Sequence, residues 1–121
     1  MALLVGPSAR EVGRVAYTDD RGPTAVPVTY VVGEDTVLFR VAPYSSLAKH
    51  LTGAPAALEV DDIDYFTRSG WSVVLRGHVA AMEGDDLAPG DPRPTPWVEG
   101  QRTLYLRLTP EVVTGRRLLE A

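Results

Sequence analysis

The sequence predicts a mainly β protein, an antiparallel barrel of six or seven strands with one or two short helices. Short runs of β-branched and aromatic residues recur along the chain, separated by turns rich in glycine, proline and aspartate. Strands and helices do not alternate, which excludes a doubly wound parallel sheet. Closure into a barrel removes exposed sheet edges, so it is favoured over an open sheet. The 121 residues fit one domain, 1–121.

The first half of the chain predicts a three-stranded meander followed by a helix. The strands and the turns between them are expected at 13–18, 19–23, 24–32, 33–35 and 36–41. Pro27 lies inside the second strand and has no N–H to donate, so a bulge or an edge is expected there. Residues 44–51 are the best helix candidate, with Ser45 or Ser46 as its N-cap. Residues 1–5 fit a short helix or a strand.

The second half predicts three more strands around a long loop. Its segments are a strand at 57–60, an acidic turn at 61–64, a strand at 70–77 extending to about Met82, a loop at 83–96 closed by Trp97, and a strand at 102–108. Residues 109–111, Thr-Pro-Glu, have the composition of a helix start or a turn. The last segment, 112–119, fits either a short strand or one helical turn.

Composition excludes several classes of function. The chain has no cysteine, which rules out disulfides and cysteine nucleophiles and fits the reducing cytoplasm, where we expect the protein. The formal net charge of −4 argues against nucleic-acid binding, which requires a basic face. No apolar run approaches the roughly 20 residues of a membrane span.

Ordinary catalytic and metal-binding patterns are not found. His50 and His78 are the two histidines, and no motif joins either to a nucleophile, so surface or structural roles are expected. Asp61, Asp62 and Asp64 form an acidic cluster that lacks the spacing of a calcium-binding loop. A solvated turn is the simpler interpretation, and no metal site is predicted.

Four sequence runs carry a resemblance to a known family. They are LEVDDIDYFTRSGWSVVLRG at 58–77, VPVTYVV at 26–32, VLFRVAP at 37–43 and TGRR at 114–117. Together they resemble the small flavin-binding split β-barrels of the pyridoxamine 5′-phosphate oxidase-like family, over residues 13–117. The resemblance implies a split β-barrel homodimer that holds FMN in a groove between its subunits.

The resemblance also assigns residues to the cofactor. These are Val26, Pro27, Val28, Thr29, Phe39, Arg40, Val41, Ser45, Ser46, Lys49, Trp71, Ser72 and Trp97. The side chains of Val26, Val28, Phe39 and Val41 fit the barrel core equally well. Trp71 fits the core or the subunit interface, and Trp97 fits a hydrophobic lid.

The segment after the third strand departs from the family pattern. Relatives usually have glycine, a small hydroxyl residue and lysine after the proline, whereas this chain has Tyr44, Ser45 and Ser46. Lys49 lies one helical turn later and can supply the missing cation, or it is a solvated helix residue. Pyridoxamine phosphate oxidases proper also end in an arginine and histidine pair. No histidine follows His78, so that activity is not expected.

The function that the resemblance implies is that of a flavin-dependent oxidoreductase acting on a small molecule. The flavin carries the hydride chemistry, which agrees with the lack of a convincing general acid or base. The alternative is a non-catalytic barrel that has lost flavin and binds haem or a pathway intermediate. The residues leave open the substrate, the electron donor, and the choice between FMN and the deazaflavin F420.

Overall fold

A computed structural model describes residues 12–42, 45–82 and 104–119 of the chain. Six antiparallel strands in this part of the chain form a closed barrel in the order β1-β2-β3-β6-β5-β4, as the sequence predicted. The elements are β1 Val12–Asp19, β2 Gly22–Val32, β3 Val37–Val41, α1 Ser46–Leu51, β4 Pro55–Asp64, β5 Ser69–Met82 and β6 Leu104–Leu118. No helix within these ranges is long and apolar enough to span a membrane.

The barrel interior is the hydrophobic core. Successive side chains of a strand point to opposite faces, and in β1 Val15 and Tyr17 are buried while Arg14 and Ala16 are exposed. In the other elements the core cluster comprises Val28, Tyr30, Val37, Phe39, Val41, Leu51, Leu58, Val60, Val73, Leu75, Val79, Leu106 and Leu108. Leu38 and Met82 are also buried but lie outside this cluster. Burial of each such side chain contributes about 1.5–3 kcal/mol. The inward face of each strand is therefore committed to the core, and the outward face is left for function.

Helix α1 begins where the sequence placed its cap. The Ser45 side chain accepts a hydrogen bond from the Ala48 N–H, and Ser45 has an extended backbone, as an N-cap residue should. Leu51 is fully buried and anchors the helix to the core. The prediction for Tyr44 lies outside the described residues.

The predicted acidic turn at 61–64 is wrong. Strand β4 continues through Asp64, and Asp61, Asp62, Ile63 and Asp64 pair in register with residues of β5. The turn lies at 65–68 instead, where the Asp64 carboxylate accepts hydrogen bonds from the N–H groups of the two residues after Tyr65, at 2.9 and 3.1 Å. Pairing with β5 satisfies the backbone hydrogen-bonding groups of this segment. This stabilisation outweighs the weak strand propensity of aspartate.

The helix start or turn predicted at 109–111 is also wrong, because β6 runs through it. The strand alternative for 112–119 is confirmed up to Leu118. The register between β5 and β6 shifts at this point: Gly77 pairs with Pro110, while Arg76 pairs with Val112. One extra residue in β6, Glu111, therefore sits in a β-bulge, which accommodates a proline that cannot donate to the ladder.

Pro27 lies at an edge and not in a bulge. It pairs with Arg14 of β1 in an unbroken register, but the pairing of β2 with β3 starts only at Thr29. The edge alternative is therefore the one observed. Other predictions fall outside the described ranges, namely those for 1–11, Pro43, the loop at 83–96, Trp97 and the first two residues of the strand predicted at 102–108.

Candidate functional site

The outer wall of β2 and β3 presents the polar part of the predicted cofactor site. Thr29 of β2 is the register partner of Arg40 of β3, and both side chains are half-buried on the outward face. Pro27 lies two residues before Thr29 on the same face and is exposed. The Arg40 side chain makes no hydrogen bond or ion pair among the described residues, so its cation is available to a ligand.

The apolar residues assigned to the same two strands belong to the core. Val28, Phe39 and Val41 are buried inside the barrel, and the half-buried Val26 packs against them. Their side chains therefore face away from the outer wall. Any contact that these residues make with a ligand on that wall is through the backbone.

Helix α1 and its N-cap hold three of the predicted residues, Ser45, Ser46 and Lys49. The hydroxyl groups of both serines already have partners. The Ser45 hydroxyl donates to the Ala42 carbonyl oxygen at 2.7 Å and accepts from the Ala48 N–H at 3.1 Å. The Ser46 hydroxyl lies 3.3 Å from His50 Nδ1. The exposed Lys49 side chain has no such partner within the described part of the chain.

His50 has a structural role on this helix, as the sequence suggested. Its ring hydrogen-bonds the Ser46 carbonyl oxygen at 2.8 Å and the Asp20 carboxylate at 3.3 Å. These contacts, the Ser46 carbonyl first, raise the pKa of His50. The histidine thereby ties the helix to the turn between β1 and β2.

The two predicted residues of β5 point to opposite faces. Trp71 is half-buried and packs against the core, while Ser72 is half-buried on the outward face between Asp61 of β4 and Arg116 of β6. Trp97 lies outside the described residues. Of the two described residues, Ser72 has its side chain on the outer wall.

Ser72 and the Thr29–Arg40 pair do not lie on adjacent strands. Strands β1 and β4 stand between β2 and β5 in the barrel order. Adjacent strands are about 4.8 Å apart, so Thr29 and Ser72 are separated by on the order of 15 Å or more. In a closed barrel of six strands, strands three places apart lie on opposite sides, so the two outward side chains point away from each other. One ring system contacts both positions only if they come from different copies of the chain.

Sequence reasoning missed a charged cluster on this same wall. Arg14 Nη1 lies 3.5 Å from Glu59 Oε1 and 3.3 Å from Asp61 Oδ2. Burial, followed by the hydrogen bond and charge of Asp61, raises the pKa of Glu59 to about 7, against the lowering effect of Arg14. The two carboxyl groups thus share one cation and hold a proton near neutral pH. Their two-residue spacing was a signal that both face the same side of a strand.

The raised pKa of Glu59 predicts a specific pH dependence of stability. The folded state binds the extra proton between the ordinary pKa of 4.5 and about 7, so the free energy of unfolding falls as the pH rises through this window. Glu59→Gln cannot ionise, and it should therefore gain stability relative to the natural chain as the pH rises, with little further change above about pH 8.

Thermal melts at several pH values check this prediction. Glu34→Gln, which removes an exposed carboxylate from the turn before β3, is the matched control and should show no such gain. A difference between Glu59→Gln and the natural chain that stays constant from about pH 4.5 to pH 8 would place the shared proton elsewhere.

The described residues also form a groove that the sequence did not predict. It has a volume of about 510 Å³ and lies on the outer wall, where residues of β1, β2, β4, β5 and β6 line it. Its lining includes Ala16, Pro55, Ala57, Arg76, His78 and Glu111. None of the residues predicted to bind the cofactor lines it. The groove exists because a bulge and residues of five strands come together, which no single sequence run indicates.

The chain is similar to a known protein family, to a mycobacterial protein and to solved structures. A family profile described as pyridoxamine 5′-phosphate oxidase matches residues 8–117. An uncharacterized protein of Mycobacterium tuberculosis is 29% identical over 113 residues, which are 88% of this chain and 74% of that protein. A solved FAD binding protein from Mycobacterium smegmatis is 32% identical with a TM-score of 0.78, over 93% of this chain and 89% of that chain.

A further solved structure shares the fold alone. It is an FAD-binding protein from Mesorhizobium loti, 20% identical with a TM-score of 0.67, over 93% of this chain and 87% of that chain.

Proposed function

Because the chain belongs to the pyridoxamine 5′-phosphate oxidase family, we propose that it is a homodimeric flavin-binding protein that serves as an oxidoreductase for a small molecule. A bound flavin supplies the hydride chemistry, and the residues of the chain bind and orient it. FMN is the proposed cofactor. FAD shares its ring and first phosphate, and it is the ligand named for the M. smegmatis protein. We further propose a cytoplasmic location, since the chain has no cysteine.

The observation that carries this proposal is the Thr29–Arg40 pair. A half-buried arginine without a carboxylate partner in the described ranges is unfavourable unless something pairs with it. A flavin phosphate is such a partner, because the planar guanidinium donates two parallel hydrogen bonds to phosphate oxygens. Thr29 adds a hydroxyl beside it, and Lys49 of α1 can add a second cation. These residues therefore fit a phosphorylated flavin.

Two observations support a homodimer with a composite site. Thr29 and Ser72 diverge on one protomer, so a flavin that contacts both needs one of them from the second copy. Exposed hydrophobic side chains also collect at one end of the β4–β5–β6 sheet: Tyr65 and Phe66 are 89% and 96% exposed, and Leu118 and Leu119 are 50% and 74% exposed. Apolar surface of this kind is typical of a subunit interface.

Flavin titration combined with sedimentation tests the proposal. The protein should sediment as a dimer at micromolar concentration, and it should bind FMN more tightly than riboflavin, since only FMN offers a phosphate to Arg40 and Lys49. Quenching of flavin fluorescence measures both affinities, with FAD and F420 as further ligands.

Each contrary result has a definite meaning. A monomer would remove the composite site. A dimer that takes up none of these cofactors would contradict the oxidoreductase function. If the purified protein shows a Soret band and no flavin absorbance, the haem-binding alternative replaces the flavin one.

A further inference from the structure

The groove on the outer wall is shaped by small side chains. Ala57 of β4 pairs with Ala16 of β1 on one side and with Arg76 of β5 on the other. All three lie on the outward face, since the neighbouring Leu58 and Leu75 are fully buried. The side chains of Ala16 and Ala57 are single methyl groups, and Pro55 lies two residues before Ala57. These short side chains leave a space of about 510 Å³, which is in the range of small-molecule sites.

A β-bulge brings polar groups to the rim of this groove. Glu111 is the extra residue of β6, and its carboxylate hydrogen-bonds His78 Nδ1 of β5. Gly77 makes the bulge possible, because a Cβ there would overlap the backbone oxygen of Thr109. β-Bulges often re-aim a side chain beside a functional site, and this one places a carboxylate next to an imidazole.

The cation of the rim, Arg76, favours an anion. The Arg76 side chain is exposed and forms no ion pair or hydrogen bond among the described residues. Glu111 engages Nδ1 of His78 and leaves Nε2 without a partner in that part of the chain. The Glu111 carboxylate is engaged by His78, so Arg76 is the charged side chain of the rim that has no partner among the described residues.

We propose that this groove binds a small organic anion with an apolar body, which serves as the substrate for a flavin held against Ser72 of the same subunit. The row of short side chains leaves room for an apolar body, Arg76 suits a carboxylate or a similar monoanion, and His78 Nε2 suits a hydrogen bond to the ligand. Arg76 lies four residues after Ser72 on the same outward face of β5, a distance of about 13 Å. The role as substrate rests on the proposed flavin-dependent function, whereas the binding of the anion does not.

Binding of 2-naphthoate, compared with the neutral 2-naphthamide, tests the site. Changes in the backbone amide NMR signals of Gly77 and His78 on titration would locate and quantify the binding of both probes. The natural chain should bind the anion about tenfold more tightly than the amide. Arg76→Gln should remove this preference, and Arg68→Gln, which removes the same charge at the far turn between β4 and β5, should retain it.

A second pair of variants separates the groove from the charge. Ala57→Leu fills the floor from the outward face, so it should weaken both probes about tenfold or more while the core stays intact. Ala80→Leu adds the same bulk at an exposed position of β5 outside the groove and should leave both affinities unchanged. Thermal melts show that each variant is folded.

The results of these experiments distinguish an anion site in the groove from the flavin site and from a subunit interface. Anion preference that survives Arg76→Gln, or no naphthoate binding by the natural chain, overturns the proposal. Loss of the dimer in Ala57→Leu would also overturn it, because the groove would then be covered by the second subunit. Failure of flavin to bind, with naphthoate still bound in the groove, contradicts the proposed function and leaves the anion site standing.

Discussion

Gly77→Ala is expected to lower the melting temperature by about 10 °C or more, or to prevent folding. A Cβ at this position would overlap the carbonyl oxygen of Thr109 and lie 2.8 Å from its carbonyl carbon. Both atoms are backbone, so no side-chain rotation relieves the overlap. Strands β5 and β6 would have to separate at the bulge, at a cost of about 3 kcal/mol or more.

Gly115→Ala is the matched control for this prediction. Gly115 lies in the paired strand β6, and the nearest atom to an added Cβ is the Ser72 carbonyl oxygen at 3.7 Å, an ordinary contact. Circular dichroism melts of both variants measure the difference, and Gly115→Ala should melt close to the natural chain. If the two variants melt alike, the close approach of β5 and β6 at Gly77 is not a constraint on this fold.

Arg40→Gln is expected to weaken FMN binding by about ten- to a hundredfold while leaving riboflavin binding nearly unchanged. A charge-assisted bond from arginine to phosphate contributes about 1.5–3 kcal/mol, and riboflavin has no phosphate to lose it. Glutamine keeps a polar side chain on the outer wall of β3, so the barrel should retain its stability. Lys49→Ala should likewise weaken FMN binding and leave riboflavin binding nearly unchanged, because only FMN offers a phosphate to its side chain.

Measuring both ligands distinguishes a loss of phosphate recognition from a structural effect of the substitution. Arg21→Gln removes the same charge from the exposed turn between β1 and β2, and it should affect neither affinity. Parallel losses for FMN and riboflavin in Arg40→Gln would show that Arg40 supports the wall and does not recognise the phosphate. Unchanged FMN affinity would place the phosphate site elsewhere on the barrel.

Local sequence patterns alone determined much of the architecture. Alternation of apolar and polar residues identified the strands and the inward faces of Val28, Phe39 and Leu106, because a period of two depends only on neighbouring residues. Ser45 was identifiable as a cap because its hydroxyl bonds to a backbone N–H three residues away. The family resemblance added the flavin, the dimer and the cofactor residues, which no pattern in the chain supplied.

Tertiary structure decided the features that depend on register between distant strands. Aspartates at 61–64 fit a turn locally, but ten residue pairs join β4 to β5, and the satisfied ladder makes this segment a strand. Glu111 enters a bulge because Gly77 and Pro110 meet across β5 and β6. The Arg14–Glu59 contact joins residues 45 positions apart, and the groove collects residues from five strands. Such contacts follow from the closure of the barrel, which fixes the register of every strand at once and leaves no trace in any short stretch of sequence.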